Sequence, residues 1–143
     1  MDLFRALSVS ASGLAAQRAR MDVIGENLAN SETTVSAGGG PYRRKVVLLQ
    51  PAGPAGFPAV LRRTGEPEGS VRVAYVAETA DPPRRVWRPG HPQAGPDGFV
   101  DLPNVNPLVE MVDMLMTTRA YEANATAFQA TKAMGAKLLE LLR

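Results

Sequence analysis

The chain has 143 residues, of which 45% are hydrophobic and 21% are charged, and its formal net charge is +2. These proportions are typical of a folded domain rather than a disordered tail, and no stretch approaches the roughly 18 consecutive apolar residues of a membrane span. The absence of cysteine excludes disulfides, thiolate chemistry and cysteine-ligated metal sites.

The small positive charge does not indicate nucleic-acid binding. The surplus lies in residues 31–103, which hold nine basic and seven acidic side chains, while the two ends of the chain are each balanced. Such a small excess is more typical of a solvated surface than of a phosphate-binding stripe. The N-terminus does not resemble a cleavable signal peptide either, because Asp2 and Arg5 interrupt its apolar residues. We therefore expect no nucleic-acid partner, no membrane insertion and no export by such a signal.

Residues 1–30 are predicted to form a long N-terminal helix. An apolar residue recurs at every seventh position, namely Leu7, Leu14, Met21 and Leu28, and Ile24 lies between the last two. This spacing is that of a heptad seam. Asn30 and the Ser/Thr cluster that follows it provide a stop signal, because asparagine tolerates the left-handed conformation of a helix cap.

Residues 31–103 are predicted to form a small β-rich region. They hold 10 of the 13 glycines and 11 of the 12 prolines, which helix interiors reject. Valine-rich, partly alternating stretches at 41–51 and 70–78 read as strands, with two shorter ones in "RRVWRP" and "GFVDLP". The first stretch contains three basic residues that we expect to be exposed: Arg43, Arg44 and Lys45. They form either a contact with a neighbouring protein or a solvated strand edge.

Residues 104–143 are predicted to form a second long helix, which begins with the capping pair Asn106 and Pro107. Its apolar positions again recur at heptad spacing, with additional strips at both ends. Those that we expect to pack are Met111, Leu115, Tyr121, Phe128, Leu138 and Leu142.

The predicted fold is therefore α+β, with the terminal helices paired as an antiparallel coiled coil and the β-rich region between them. A lone helix is marginal in water, so each of these helices needs a partner for its apolar face. The leucines near the C-terminus spread over more than one face, and one helix pair would leave part of that surface in water. Apolar surface of this kind usually marks a contact with another chain. We expect the ends to be largely disordered until that contact forms.

No group of residues predicts an enzyme. His91 is the only histidine and lies in the loop "PGHPQAGPDG", and Asp97 and Asp101 are separated by a glycine turn. One histidine without cysteines cannot form the usual zinc sites. "GGGP" lacks the lysine and hydroxyl residue of a phosphate-binding loop. We expect no catalytic residue, cofactor or metal.

Both ends of the chain resemble the bacterial flagellar axial proteins, the family of rod, hook and hook-associated subunits. The N-terminal resemblance lies in "SASGLAAQRARMDVIGENLANSETT", which includes Asn27 and Asn30. The C-terminal resemblance lies in "NVNPLVEMVDMLMTTRAYEANATAFQATKAM", which includes Glu110 and Asn124. "GGPYRRKVV", "RPGHPQAGPDGFVDLPNVN" and the short middle region are similar to the proximal-rod members.

The resemblance implies a structural subunit of the flagellar basal body. Such a subunit is exported unfolded through the flagellar type III apparatus and stacks helically in the rod that crosses the periplasm. Its terminal helices form a coiled-coil (D0-like) domain around the export channel, and the shaft transmits torque. The implied partners are the chain itself, other rod subunits, the MS-ring or rod-base adaptor and the export apparatus.

Three readings follow from the sequence, and the structural subunit is the strongest of them. An exported coiled-coil binding module or chaperone is the alternative. A small secreted enzyme acting through His91 or Asp97 is the third. Asn27 and Asn30 have two open roles, a bond to a neighbouring subunit or a helix cap, and Asn124 is counted with the packing residues.

Overall fold

The fold consists of two long helices and two small antiparallel sheets, which confirms the predicted α+β class. The computed structural model describes residues 3–36, 38–52 and 69–141. In chain order the elements are α1 (Leu3–Ala29), β1 (Lys45–Ala52), β2 (Ser70–Glu78), β3 (Arg84–Trp87), β4 (Phe99–Leu102) and α2 (Pro107–Leu141). Within these described residues, neither helix has the combination of length and apolarity that crossing a membrane requires.

Both helices have the caps that the sequence predicts. At the end of α1, the backbone N–H and the side-chain Nδ2 of Asn30 both donate to the carbonyl of Glu26, at 3.1 and 2.9 Å. Thr33 Oγ1 in turn donates to Asn30 Oδ1 at 3.1 Å. At the start of α2, Asn106 Oδ1 accepts from the backbone N–H of Leu108 at 3.1 Å. Of the two roles left open for Asn30, this local geometry is that of a cap.

The two helices lie against each other and run antiparallel. In the pairs of residues that approach each other closely, the residue numbers rise along α1 while they fall along α2. These pairs are Leu3 with Gly135, Gly13 with Asn124, Met21 with Thr118, and Asn27 with Glu110. Few side chains are fully buried in this contact. Those of α1 are Ala16, Ile24 and Asn27, and those of α2 are Glu110, Thr117 and Thr131. The heptad seam itself is only half-buried, because small and polar residues occupy the deepest positions.

The first sheet pairs β1 with β2 and packs on α1. Its register runs from Lys45 opposite Glu78 to Ala52 opposite Ser70, with an irregularity between Leu48 and Leu49. The Oγ of Ser12 in α1 accepts from the backbone N–H of Val71 at 3.1 Å, so one helix hydroxyl ties the helix to β2.

The second sheet pairs β3 with β4, with a register that runs from Arg84 opposite Leu102 to Trp87 opposite Phe99. Alternate residues of β4 point inwards, so Val100 and Leu102 are buried. Gly98 makes the turn before β4 with a φ of 75°, a left-handed conformation that favours glycine, and an added Cβ there would lie 3.1 Å from Nε1 of Trp87. All four predicted strands are present, although β1 begins at Lys45 rather than at residue 41.

Candidate assembly site

A large apolar surface lies on α2, away from α1. Leu115 is 61% exposed, and long apolar side chains are exposed at both ends of the helix. They are Leu108, Val109, Met111, Val112, Leu115 and Met116 near the N-terminal end, and Met134, Leu138, Leu139 and Leu141 near the C-terminal end. We call these residues the α2 apolar surface. Groups of exposed apolar side chains of this kind usually mark an interface with another chain.

The packing residues expected from the sequence fall into two groups. One group is buried or half-buried between or beside the helices: Leu7, Leu14, Met21, Ile24, Asn27, Leu28, Asn30, Tyr121, Asn124 and Phe128. The other group is exposed and belongs to the α2 apolar surface: Met111, Leu115 and Leu138. Leu142 lies outside the described residues. The structure thus separates contacts made within the chain from side chains that remain available for another chain.

The best-connected polar group joins the two helices to the start of β1. Asn27, 1% exposed, donates from Nδ2 to the carbonyl of Lys45 at 2.8 Å and to Glu110 Oε2 at 3.2 Å. Its Oδ1 accepts from the backbone N–H of Lys45 and from the hydroxyl of Tyr42, both at 2.9 Å. We call Asn27, Tyr42, Arg44, Lys45 and Glu110 the junction cluster. In this cluster the buried amide of Asn27 makes all four of its possible hydrogen bonds, as buried polar groups generally do.

Two of the three basic residues expected to be exposed belong to this cluster. Arg44 Nε donates to Glu110 Oε1 at 2.7 Å, and its guanidinium also lies 3.5 Å from Asp113. The Lys45 ammonium pairs with Glu26. The expectation of exposure is therefore wrong for Arg44 and Lys45, which are half-buried because acidic residues of both helices face them, and it holds for Arg43.

Tyr42 lies at the buried side of the junction cluster with its phenol protonated at neutral pH. Burial raises its pKa to about 12, and the carboxylates of Glu26, Glu78 and Glu110 add to the shift. The neutral hydroxyl can therefore donate to Asn27 over the whole physiological range.

Asn27 has neither of the two roles considered from the sequence. Its amide is engaged inside the chain, with partners far away in the sequence, so it caps no helix end and has no free group for a neighbouring subunit. Asn124 bonds to the carbonyl of Ala120 in its own helix at 2.9 Å. Its side chain faces Gly13, where an added Cβ would lie 2.9 Å from Oδ1.

Sequence reasoning missed three residues of this arrangement as site residues. The sequence places Glu110 and Gly13 within the two terminal stretches that resemble the axial proteins, and Tyr42 within a predicted strand, without a role for any of the three. The signal for Glu110 was available, because a carboxylate beside apolar residues on a helix needs a partner if it is buried. Nothing local to Tyr42 or Gly13 indicates their distant partners.

The residues considered for catalysis are far from forming a site. The Nδ1 of His91 accepts from the backbone N–H of Gln93 at 3.2 Å within its own loop. Asp97 is exposed, and Asp101 lies 3.5 Å from Arg85 on the neighbouring strand. Over the ranges that the structure covers, no three acidic or histidine side chains converge as a metal site would require.

Known proteins match this chain at both of its ends and over its full length. A family model described as "Flagella basal body rod protein" matches residues 7–35, and one described as "Flagellar basal body rod FlgEFG protein C-terminal" matches residues 97–141. The flagellar basal-body rod protein FlgC of Bacillus subtilis (strain 168) is 45% identical over 149 residues, covering 99% of both chains. The FlgC proteins of Borreliella burgdorferi and Salmonella typhimurium are 39% and 37% identical, covering 100% and 99% of this chain and 99% and 98% of theirs.

Proposed function

Since the chain belongs to the FlgC family of flagellar basal-body rod proteins and is a structural subunit of the rod, we propose that it polymerises helically through its terminal helices. In the polymer, α1 and α2 form a coiled-coil (D0-like) domain around the export channel. Residues 31–103 form the β region outside it, and the proximal shaft so built transmits torque.

The observation that supports this proposal is the α2 apolar surface. Each leucine or methionine buried between subunits would contribute about 1.5–3 kcal/mol. A torque-bearing shaft needs many contacts that do not slip, and helices with apolar residues on more than one face can supply them on several sides. In a helical assembly each surface is covered by the next copy, so the polymer has no unfilled apolar face except at its ends.

The partners follow from the same role. We propose that the chain contacts copies of itself, other rod subunits, the MS-ring or rod-base adaptor and the export apparatus. It would reach the periplasm-spanning rod by flagellar type III export. The exposed Arg43 is the one basic residue of its group left for such a contact, because Arg44 and Lys45 are paired within the chain.

The alternative readings have less support. An exported binding module or chaperone fails to explain why relatives covering nearly the whole chain are rod proteins. A secreted enzyme would need His91 or Asp97 in a cluster of chemical groups, and the former bonds within its own loop.

The proposal is tested by placing a charge on the α2 apolar surface. Leu115→Asp should leave synthesis intact, because the side chain is 61% exposed and contributes little to the fold of the single chain. It should abolish rod assembly and swimming, because a buried unpaired carboxylate at the subunit contact is costly. The measurements are motility of a strain that carries only the variant, and electron microscopy of its basal bodies.

A matched control is available on the sheet. Tyr75 in β2 is also 61% exposed, so Tyr75→Asp introduces the same charge at a position of equal exposure. If the helices carry the assembly, this variant should still form rods. Normal swimming with Leu115→Asp would overturn the proposal, and so would the opposite ranking of the two variants.

A further inference from the structure

The apolar pattern of the two helices does not by itself define how they align. The heptad seam of α1 repeats every seven residues, and α2 carries Met114, Tyr121 and Phe128 at the same interval. Sliding one helix by seven residues therefore places apolar side chains opposite apolar side chains again. Something other than this seam must select one alignment.

The junction cluster is specific where the apolar seam is not. Asn27 of α1 contacts Glu110 of α2 and both backbone groups of Lys45, so three elements meet at one amide. Glu110 is 0% exposed, and its two oxygens accept from Arg44 and from Asn27. No repeat of this group occurs seven residues earlier or later, where α2 has Thr117 and the chain before it has Pro103.

A displaced alignment would leave these groups without partners. The Glu110 carboxylate would lose its bond from Asn27, and the amide would face Thr117 or Pro103, neither of which carries a carboxylate. A buried charge or amide that loses its partner costs far more than the formed bond contributes, so the penalty falls on the wrong alignments.

We propose that the junction cluster is the device that sets the register of α1 against α2, with Asn27 and Glu110 as its positioning residues. The proposal goes beyond the assembly role and does not rest on it, because register is a property of the single chain. Replacing the cluster with apolar residues should keep the helices and lose the unique alignment.

The absence of cysteine makes this directly measurable with introduced pairs. Thr118 Oγ1 lies 3.8 Å from Met21 Sδ, so Met21→Cys with Thr118→Cys reports the native register. Met21→Cys with Ala125→Cys reports an alignment displaced by one heptad. Each pair is introduced into the purified full-length chain, oxidised at low concentration, and the intramolecular disulfide is quantified by mass spectrometry.

The same pairs are then combined with cluster variants. Asn27→Leu with Glu110→Leu removes both positioning residues. Thr117→Val is the matched control, because Thr117 is also buried on α2 but donates, among the described residues, to the carbonyl of Asp113 in its own helix, at 2.7 Å. Far-UV circular dichroism checks that each variant is helical, and the single Asn27→Leu variant replaces the double one if the latter loses its helicity.

We expect the native pair to dominate in the parent chain and in Thr117→Val. In the cluster variant the ratio of native to displaced disulfide should fall at least about tenfold, the change that corresponds to losing one buried bond of this kind. An unchanged ratio in the helical cluster variant would overturn the proposal. Equal disulfide formation at both pairs in the parent chain would overturn it as well, and so would an equal fall in Thr117→Val.

Discussion

At the scale of single residues, the buried amide of Asn27 joins α1 to two distant parts of the chain. It engages Tyr42, Lys45 and Glu110, and the last of these is 83 positions away in the chain. Satisfied polar networks in a low-dielectric interior are rigid, and they become costly when one member is removed. The role of this residue depends on what surrounds it rather than on its position at the end of a helix.

The hydroxyl of Tyr42 predicts a specific pH dependence. Its pKa is raised to about 12 in the folded chain, while an unfolded tyrosine titrates near pH 10. Below about pH 10 the phenol is neutral in both states, so its full contribution to stability is present. Between those two pH values only the unfolded chain loses the proton, which favours unfolding.

The test compares the parent chain with Tyr42→Phe in urea unfolding across this pH window. The parent should be more stable by about 1 kcal/mol near neutral pH, because its hydroxyl bonds to Asn27. That advantage should shrink as the pH rises from about 10 through the folded pKa. A difference that stays constant with pH would contradict this account.

At the scale of elements, the two helices approach each other most closely where a glycine faces a larger side chain. Gly13 faces Asn124, and Gly135 faces Leu3, where an added Cβ would lie within 3.0 Å of a side-chain atom. Gly25 is different, because its nearest neighbour is the methyl group of Met114 at 4.0 Å. Only at the first two of these glycines would an added methyl group force the facing side chain to move.

This difference predicts opposite outcomes for the same substitution in one helix. Gly25→Ala should raise the free energy of unfolding by about 0.5–1 kcal/mol, because alanine loses less backbone entropy in a helix. Gly13→Ala should gain nothing or lose stability, because the new methyl group would lie 2.9 Å from Asn124 Oδ1. The measurement is the urea midpoint of unfolding of both variants and of the parent chain. Equal stabilisation by Gly13→Ala and Gly25→Ala would show that the close approach of Gly13 to Asn124 does not affect stability.

Elements were predictable from the sequence because their signals are local. The heptad leucines, the Asn106 cap and the valine-rich strands depend on neighbours within a few residues, and each is present, although β1 begins four residues later than expected. The depth of burial was not predictable in the same way. The most buried positions of α2 are Glu110, Thr117 and Thr131 rather than the leucines, because the helix has its apolar residues on faces that α1 does not cover.

At the scale of the whole molecule, the buried apolar core is small and much apolar surface stays in water. Val100, Leu102 and Val105 are buried in and just after β4, whereas α2 exposes long apolar side chains near both of its ends, among them Leu115 and Leu138. Few domains of this size leave so much apolar surface in water unless another chain covers it. The single chain is therefore best understood as one unit of a larger assembly, with its own fold anchored at the junction.

Cysteine accessibility can show whether neighbouring subunits cover the α2 apolar surface in the rod. Leu115→Cys introduces a single thiol into a cysteine-free chain, at a side chain that is exposed in the single subunit. Maleimide labelling is compared between the purified chain, isolated basal bodies and the same basal bodies after denaturation. The account predicts rapid labelling of the purified and denatured samples and protection in intact basal bodies. Equal labelling of intact and denatured basal bodies would contradict it.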